Sequence, residues 1–238
     1  MFSKEKSKKK QPKMLARKLI TVQDPKAVVS EQFKTIRTNI NFSMPDKDIA
    51  TLLITSSTPG EGKSTNSANI AVVFAQSGKK VLLIDSDMRK PTAHHTFAVK
   101  NAIGLSDLLT RQHTFEEVLQ KTTIERLDLI TSGPIPPNPA ELLASKTMDQ
   151  LIDVLKDKYD LVIFDAPPVL SVTDAQILSN KCEGVILVVN TGKTEKDNVL
   201  KAKNMLESSK ANMLGVIMNN FKLEKDHYYY QYYGNDEK

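Results

Sequence analysis

Thr51-Leu-Leu-Ile-Thr-Ser-Ser-Thr-Pro-Gly-Glu-Gly-Lys-Ser64 is the stretch that decides the fold. An apolar run, 51–56, reads as a strand buried on both faces. A glycine-rich turn follows at once, and the helical pattern of residues 63–77 follows the turn. Strand, Gly-rich loop and helix opening with Gly-Lys-Ser are the context of a phosphate-binding loop. Backbone N–H groups of such a loop point inward at phosphate oxygens. Gly60 and Gly62 let the chain approach closely, Lys63 supplies an ammonium for the β- and γ-phosphates, and Ser64 supplies a hydroxyl for Mg²⁺. The candidate nucleotide-binding residues are Thr58, Pro59, Gly60, Glu61, Gly62, Lys63, Ser64 and Thr65. One position departs from the usual pattern: Ser57 stands where such loops begin with Gly.

Outward from the loop, further short runs rich in Val, Ile and Leu recur: Val81-Leu-Leu-Ile-Asp85, Leu127-Asp-Leu-Ile-Thr131, Leu161-Val-Ile-Phe-Asp165, Gly184-Val-Ile-Leu-Val-Val-Asn190 and Leu214-Gly-Val-Ile-Met-Asn219. Amphipathic stretches such as 139–157 and 196–209 lie between them. About six strands alternating with helices predict a doubly wound α/β domain, its sheet mostly parallel with helices on both faces. Ligands of such sheets sit at the carboxyl ends of the strands. Three acids fall there: Asp85 and Asp87 after one run and Asp165 after another. Asp165 is read as the carboxylate that holds Mg²⁺ through water. Asp85 and Asp87 are expected to project to opposite sides, one toward the γ-phosphate and one into the metal shell. Mg²⁺ is hard and takes oxygen ligands of this kind. Asn219, ending the last run, is a candidate adenine contact.

The ends of the chain differ from its middle. Of 33 Lys and Arg against 28 Asp and Glu, eight bases and one acid fall in residues 1–18, so the remaining 220 residues hold 25 bases and 27 acids. The basic character belongs to a leader, 1–24, that suits an anionic membrane surface or an acidic partner. The folded part lacks the basic footprint of a nucleic-acid binder. No signal peptide and no run near the ~18 apolar residues of a spanning helix is present. The single cysteine, Cys182, excludes a disulfide framework and fits a reducing compartment. Residues 25–43 are predicted to form an amino-terminal helix with Glu31, Lys34 and Arg37 along one face. Residues 223–238 read as a flexible tail holding Tyr228, Tyr229, Tyr230, Tyr232 and Tyr233, five of the six tyrosines. The domain proper is then 25–222. His94 and His95 lack companions for a metal site. Arg89, Lys90 and Pro91 are candidate contacts to phosphate or to another subunit.

Together, Ser-Thr-Pro-Gly-Glu-Gly-Lys-Ser64, Ile-Asp-Ser-Asp-Met-Arg-Lys-Pro91, Phe-Asp-Ala-Pro-Pro-Val-Leu170 and the tyrosine tail resemble the bacterial tyrosine kinases of capsular and extracellular polysaccharide systems. The resemblance runs from about residue 26 to the terminus. It implies ATP and Mg²⁺ as cofactors, with Lys63, Asp85 and Asp87 as catalytic residues. Ser64, Asp87 and Asp165 would surround the metal, and Asp85 would be the base or orienter for the tyrosine hydroxyl. It also implies autophosphorylation of the tail in trans within ring-like homo-oligomers built through Glu31, Lys34 and Arg37. Lys34 stands where the family has Arg, replacing a planar fork with a point charge. Expected partners are a transmembrane adaptor that recruits this cytoplasmic protein to the inner face of the membrane, protein substrates and a cognate tyrosine phosphatase.

Two other readings remain open here. One is a positioning ATPase similar to the septum-site and plasmid-partition proteins. Their extra lysine, five residues before the loop lysine, is Thr58 in this chain. The other is a nucleotide-dependent scaffold without kinase activity.

Overall fold

The computed structural model describes residues 19–44 and 48–222. The first elements are α1 (Ile20–Gln23) and α2 (Val28–Phe42), then β1 (Thr51–Ser56), α3 (Lys63–Gln76), β2 (Val81–Asp85), α4 (Ala93–Phe97), α5 (Leu105–Leu109) and α6 (Phe115–Val118). β3 (Leu119–Lys121), β4 (Leu127–Ile130), α7 (Pro139–Ala144), α8 (Lys146–Lys158), β5 (Leu161–Asp165), α9 (Asp174–Ser179), β6 (Gly184–Asn190), α10 (Lys196–Ser208) and β7 (Met213–Asn219) follow.

The strands pair in the order β3-β4-β2-β5-β1-β6-β7. All neighbours are parallel except β3 with β4. Every residue of β1, β2, β4, β5 and β6 is buried, which is why these runs do not alternate in polarity. Two cores flank the sheet. Ile54, Leu83 and Ile163 of the strands cluster with Ile70 and Phe74 of α3 and Phe33 and Ile40 of α2. Leu53, Ile84, Phe164 and Leu187 cluster with Leu155 of α8 and other residues of the opposite face. The expected doubly wound domain is present.

The sequence reading is corrected in three places. The sheet has seven strands, because Leu-Gln-Lys121 adds an antiparallel edge strand. Three residues with no apolar run carry no strand signal; pairing with β4 makes the strand. The stretch 139–157 is two helices: Ser145 is extended (φ −70°, ψ 155°) and its hydroxyl accepts the Met148 amide as the cap of α8. The amino-terminal helix starts at Val28, three residues later than its pattern suggested. Cys182 is buried, and burial pushes its thiol up to about 12.

Candidate active site

β1 delivers Ser57 into the loop, and the loop turns into α3 at Lys63. Gly62 has φ 98°, a left-handed conformation that favours glycine. A Cβ there would lie 2.1 Å from Asn219 Nδ2. That amide donates to the Glu61 carbonyl oxygen at 2.9 Å, so the end of β7 braces the loop. Asn219, the candidate adenine contact, thus also braces the loop.

Glu61 also does something its sequence position hides. Its side chain is buried, and it accepts hydrogen bonds from Ser57 Oγ (2.7 and 3.0 Å), Thr58 N (3.0 Å) and Thr58 Oγ1 (3.1 Å). Thr194 Oγ1 donates to it as well. Ser57, the departure from the usual glycine, therefore anchors an internal carboxylate that clamps the loop shut from below. Of Glu61, only the backbone amide is left for phosphate.

Two of the three acids, Asp87 and Asp165, meet at Lys63. Its Nζ lies 2.8 Å from Asp87 Oδ2 and 3.5 Å from Asp165 Oδ1, and 3.2 Å from Ser64 Oγ. Burial by itself would lower the Lys63 pKa, but Asp165, Asp87 and Asp85 outweigh it and hold the group above its ordinary value. Asp85 is fully buried. Its Oδ2 accepts the Thr92 and Ala93 amides at 2.8 and 2.9 Å, and its Oδ1 accepts the Asp87 amide at 3.3 Å. Loss of water, then repulsion from Asp165, raises its pKa to about 7 against the pull of those amides and Lys63. Asp85 and Asp87 do diverge, though strand alternation is not the cause, because residues two apart on a strand share a face. The strand ends at Asp85 and the chain turns, sending Asp87 toward Lys63.

The residues fit a hard divalent cation. Asp165 Oδ2 is buried without a hydrogen-bond partner, and such an orphan costs about 1–3 kcal/mol or more unless something satisfies it. Asp165, the Ser64 hydroxyl and Asp87 are gathered around the same ammonium, Lys63 Nζ. Among the described residues no group of three or more His, Cys, Asp or Glu could hold a metal alone. Mg²⁺ characteristically relies on one or two carboxylates plus substrate phosphates.

Beyond the acids, Arg89 makes a two-pronged pair with buried Asp174, Nε at 2.9 Å and Nη2 at 3.0 Å. Arg89 also lines the cavity beside the phosphate loop. Nothing in the sequence marks Asp174, 85 residues away. The His94 and His95 rings lie with centroids 3.8 Å apart, tilted by 44°. Glu31, Lys34 and Arg37 share α2, outside this site. Lys34 Nζ pairs with Glu31 at 2.6 Å, and Arg37 Nη1 donates to the Val73 carbonyl of α3 at 2.8 Å. The tail tyrosines, Tyr228 to Tyr233, lie outside the described residues.

Comparison with known proteins agrees with this geometry. A family model described as an AAA domain matches residues 49–222. The tyrosine-protein kinase YwqD of Bacillus subtilis is 52% identical over 220 residues, covering 92% of each chain. The putative tyrosine-protein kinase CapB of Staphylococcus aureus is 43% identical, over 89% of this chain and 93% of its own. The crystal structure of the chimerical protein CapA2B2 superposes with a TM-score of 0.84 at 47% identity, over 86% of this chain and 90% of its own. The septum-site protein MinD of Pyrococcus horikoshii, solved with Mg-ADP, is a weaker likeness, with a TM-score of 0.63 at 25% identity over 74% and 72%. A nucleotide-binding loop braced by Glu61, a lysine drawn among strand-end acids, and relatives matching along nearly the whole chain agree: the chain belongs to the bacterial tyrosine-kinase family of P-loop proteins.

Proposed function

We propose that this tyrosine kinase transfers the γ-phosphoryl group of ATP to Tyr228, Tyr229, Tyr230, Tyr232 and Tyr233 of its own tail, and to other proteins, and so regulates polysaccharide synthesis or export. The observation that carries the reading is the nest in which Lys63 meets Asp87 and Asp165, with Asp165 Oδ2 left unsatisfied. Lys63, the loop amides and Ser64 would hold the triphosphate, and Ser64, Asp87 and Asp165 would hold Mg²⁺. The metal would supply charge to offset what builds on the phosphate oxygens. In the transfer, the phenol oxygen bonds to the γ-phosphorus as the bond to the β–γ bridging oxygen breaks, and ADP leaves. Asp85, held near neutrality, is our candidate to take the phenolic proton, through the Oδ1 that accepts only a long hydrogen bond.

Transfer in trans is proposed from the exposed Glu31–Lys34 pair on α2, a candidate for contact between copies together with Arg37. Chain length alone does not impose it. Tyr228 is nine residue steps from Asn219, a reach of at most about 30 Å, while three strand spacings, about 14 Å, separate β7 from β5. A transmembrane adaptor is proposed because no helix among the described residues is long and apolar enough to cross a membrane. The basic leader suits an anionic inner face, and a structural relative is named as a chimera, CapA2B2. A cognate phosphatase would reset the tail.

The test is phosphate mapping by mass spectrometry after incubation with Mg-ATP and the cytosolic segment of the adaptor. A Lys63→Met chain and a chain ending at Asp226 run alongside. Phosphate on the tail tyrosines, absent in Lys63→Met alone, supports the kinase reading. Phosphate reaching the Lys63→Met chain when it is mixed with the tail-less chain supports transfer in trans. ATP hydrolysis without phosphotyrosine would point to a positioning ATPase, a reading that Thr58 in place of the extra lysine already disfavours.

A further inference from the structure

A cavity of about 530 Å³ opens beside the phosphate loop. Gly62, Lys63 and Ser64 of the loop line it, and Pro167, Pro168 and Val172 of the segment after β5 form a second wall. A triphosphate has no use for that second wall, since its oxygens are served by amides, Lys63 and a cation.

The wall is held in place from below. Thr55 Oγ1 donates to the Pro167 carbonyl at 2.7 Å, and the Val169 and Leu170 amides donate to Ser56 and Ser57 carbonyls at 2.8 and 3.2 Å. At its far end the Arg89–Asp174 pair ties it to the acid loop. Pro167 and Pro168 are buried and Val172 is half-buried, so the wall is fixed in place beside the buried acids, with Val172 its more exposed carbon surface.

The strand order gives the cavity a direction. β5 and β2, with the acids, lie on one side of β1, and β6 and β7 lie on the other. Lys63 turns toward the acids, and lysine and metal serve the β- and γ-phosphates. The γ end of a bound nucleotide therefore lies on the β5 side, and its base trails away. Roughly in-line transfer brings the acceptor oxygen from beyond the γ-phosphorus. The proline-valine wall stands where an acceptor arrives.

Lys90 sits at the cavity mouth. Its backbone amide donates to Asp87 Oδ1 at 3.0 Å, its side chain is exposed, and its ammonium has no ion-pair partner among the described residues. Residues 223–238 carry Glu224, Asp226, Asp236 and Glu237 against Lys225 and Lys238. Each phosphate added to a tyrosine contributes about −1.5 to −2 charges more.

We propose that Pro167, Pro168 and Val172 form the subsite for the phenol ring of the acceptor tyrosine, and that Lys90 at its rim favours acceptors flanked by carboxylate or phosphate. This rests on the kinase reading. It makes tail phosphorylation self-reinforcing, because each modified tyrosine improves its neighbour as an acceptor.

The test measures kcat/KM of the full chain with Mg-ATP on three tyrosine peptides, flanked by aspartate, by lysine or by one phosphotyrosine. The aspartate peptide should exceed the lysine peptide by a factor of about two to five, the scale of an exposed ion pair, and the difference should shrink with salt. The phosphotyrosine peptide should do better still. Lys90→Glu, a surface change, should reverse the order. Val172→Asp should raise KM for peptide more than KM for ATP, and Val172→Ala should do so less. Equal use of all three peptides by the unmodified chain, or a Lys90→Glu chain with unchanged preference, overturns the rim. A Val172→Asp chain that loses ATP affinity instead shows that the wall holds the base and overturns the phenol subsite. No transfer to any peptide or to the tail overturns the kinase reading as well.

Discussion

Lys63→Met should do more than abolish phosphotransfer; it should destabilise the nucleotide-free protein. Lys63 Nζ is the cation 2.8 Å from Asp87 and 3.5 Å from Asp165, with side-chain exposures of 12%, 6% and 2%. Removing one partner of a buried ion pair costs about 3–5 kcal/mol, because the remaining charge is left uncompensated. For a chain of this size each kcal/mol moves Tm by about 2–4 °C, so the expected drop is about 6–20 °C. In the parent protein the Lys63 contribution is whole at and below neutral pH, because its folded pKa is raised above the ordinary 10.5, and it is lost only at high pH. Thermal melts by circular dichroism at pH 7.5, without nucleotide or Mg²⁺, measure the loss. Lys63→Met with Asp87→Asn should lose less than the two single changes summed. A Lys63→Met protein melting within about 2 °C of the parent at pH 7.5, under 1 kcal/mol, would refute the reasoning.

Two further outcomes follow from the site. Gly62→Ala places a methyl 2.1 Å from Asn219 Nδ2 at φ 98°, and left-handed backbone alone costs a residue with a Cβ about 1–2 kcal/mol. ADP affinity should fall, and adding Asn219→Ala should recover only part of it; fluorescent-nucleotide titration at unchanged affinity would count against the bracing role. Asp85, with a pKa raised to about 7, keeps its proton when folded at pH values where the unfolded chain has lost it. Its contribution therefore weakens stability progressively from about pH 4 to 7 and then levels. Asp85→Asn should gain Tm relative to the parent over that interval, and a difference flat with pH would show that the carboxyl is ionised throughout.

The sequence by itself determined the phosphate loop, five fully buried strands and the three strand-end acids. These are local patterns: an apolar run buried on both faces, a Gly-rich turn, an acid where a strand stops. Lys63, Ser64, Asp85, Asp87 and Asp165 were legible on those terms. Only the tertiary structure decided how they meet. Glu61 looked like one more loop residue, and it turns inward because Ser57, Thr58 and Thr194 surround it, Thr194 from 133 residues away. Asn219 reaches the loop across 158 residues and explains why Gly62 tolerates no side chain. The Arg89–Asp174 pair, the short β3 and the break at Ser145 likewise depend on partners or backbone angles that no periodicity carries. Periodicity reports which face of an element is buried, but a hydrogen bond between distant residues depends on strand order, and strand order exists only once the sheet has assembled.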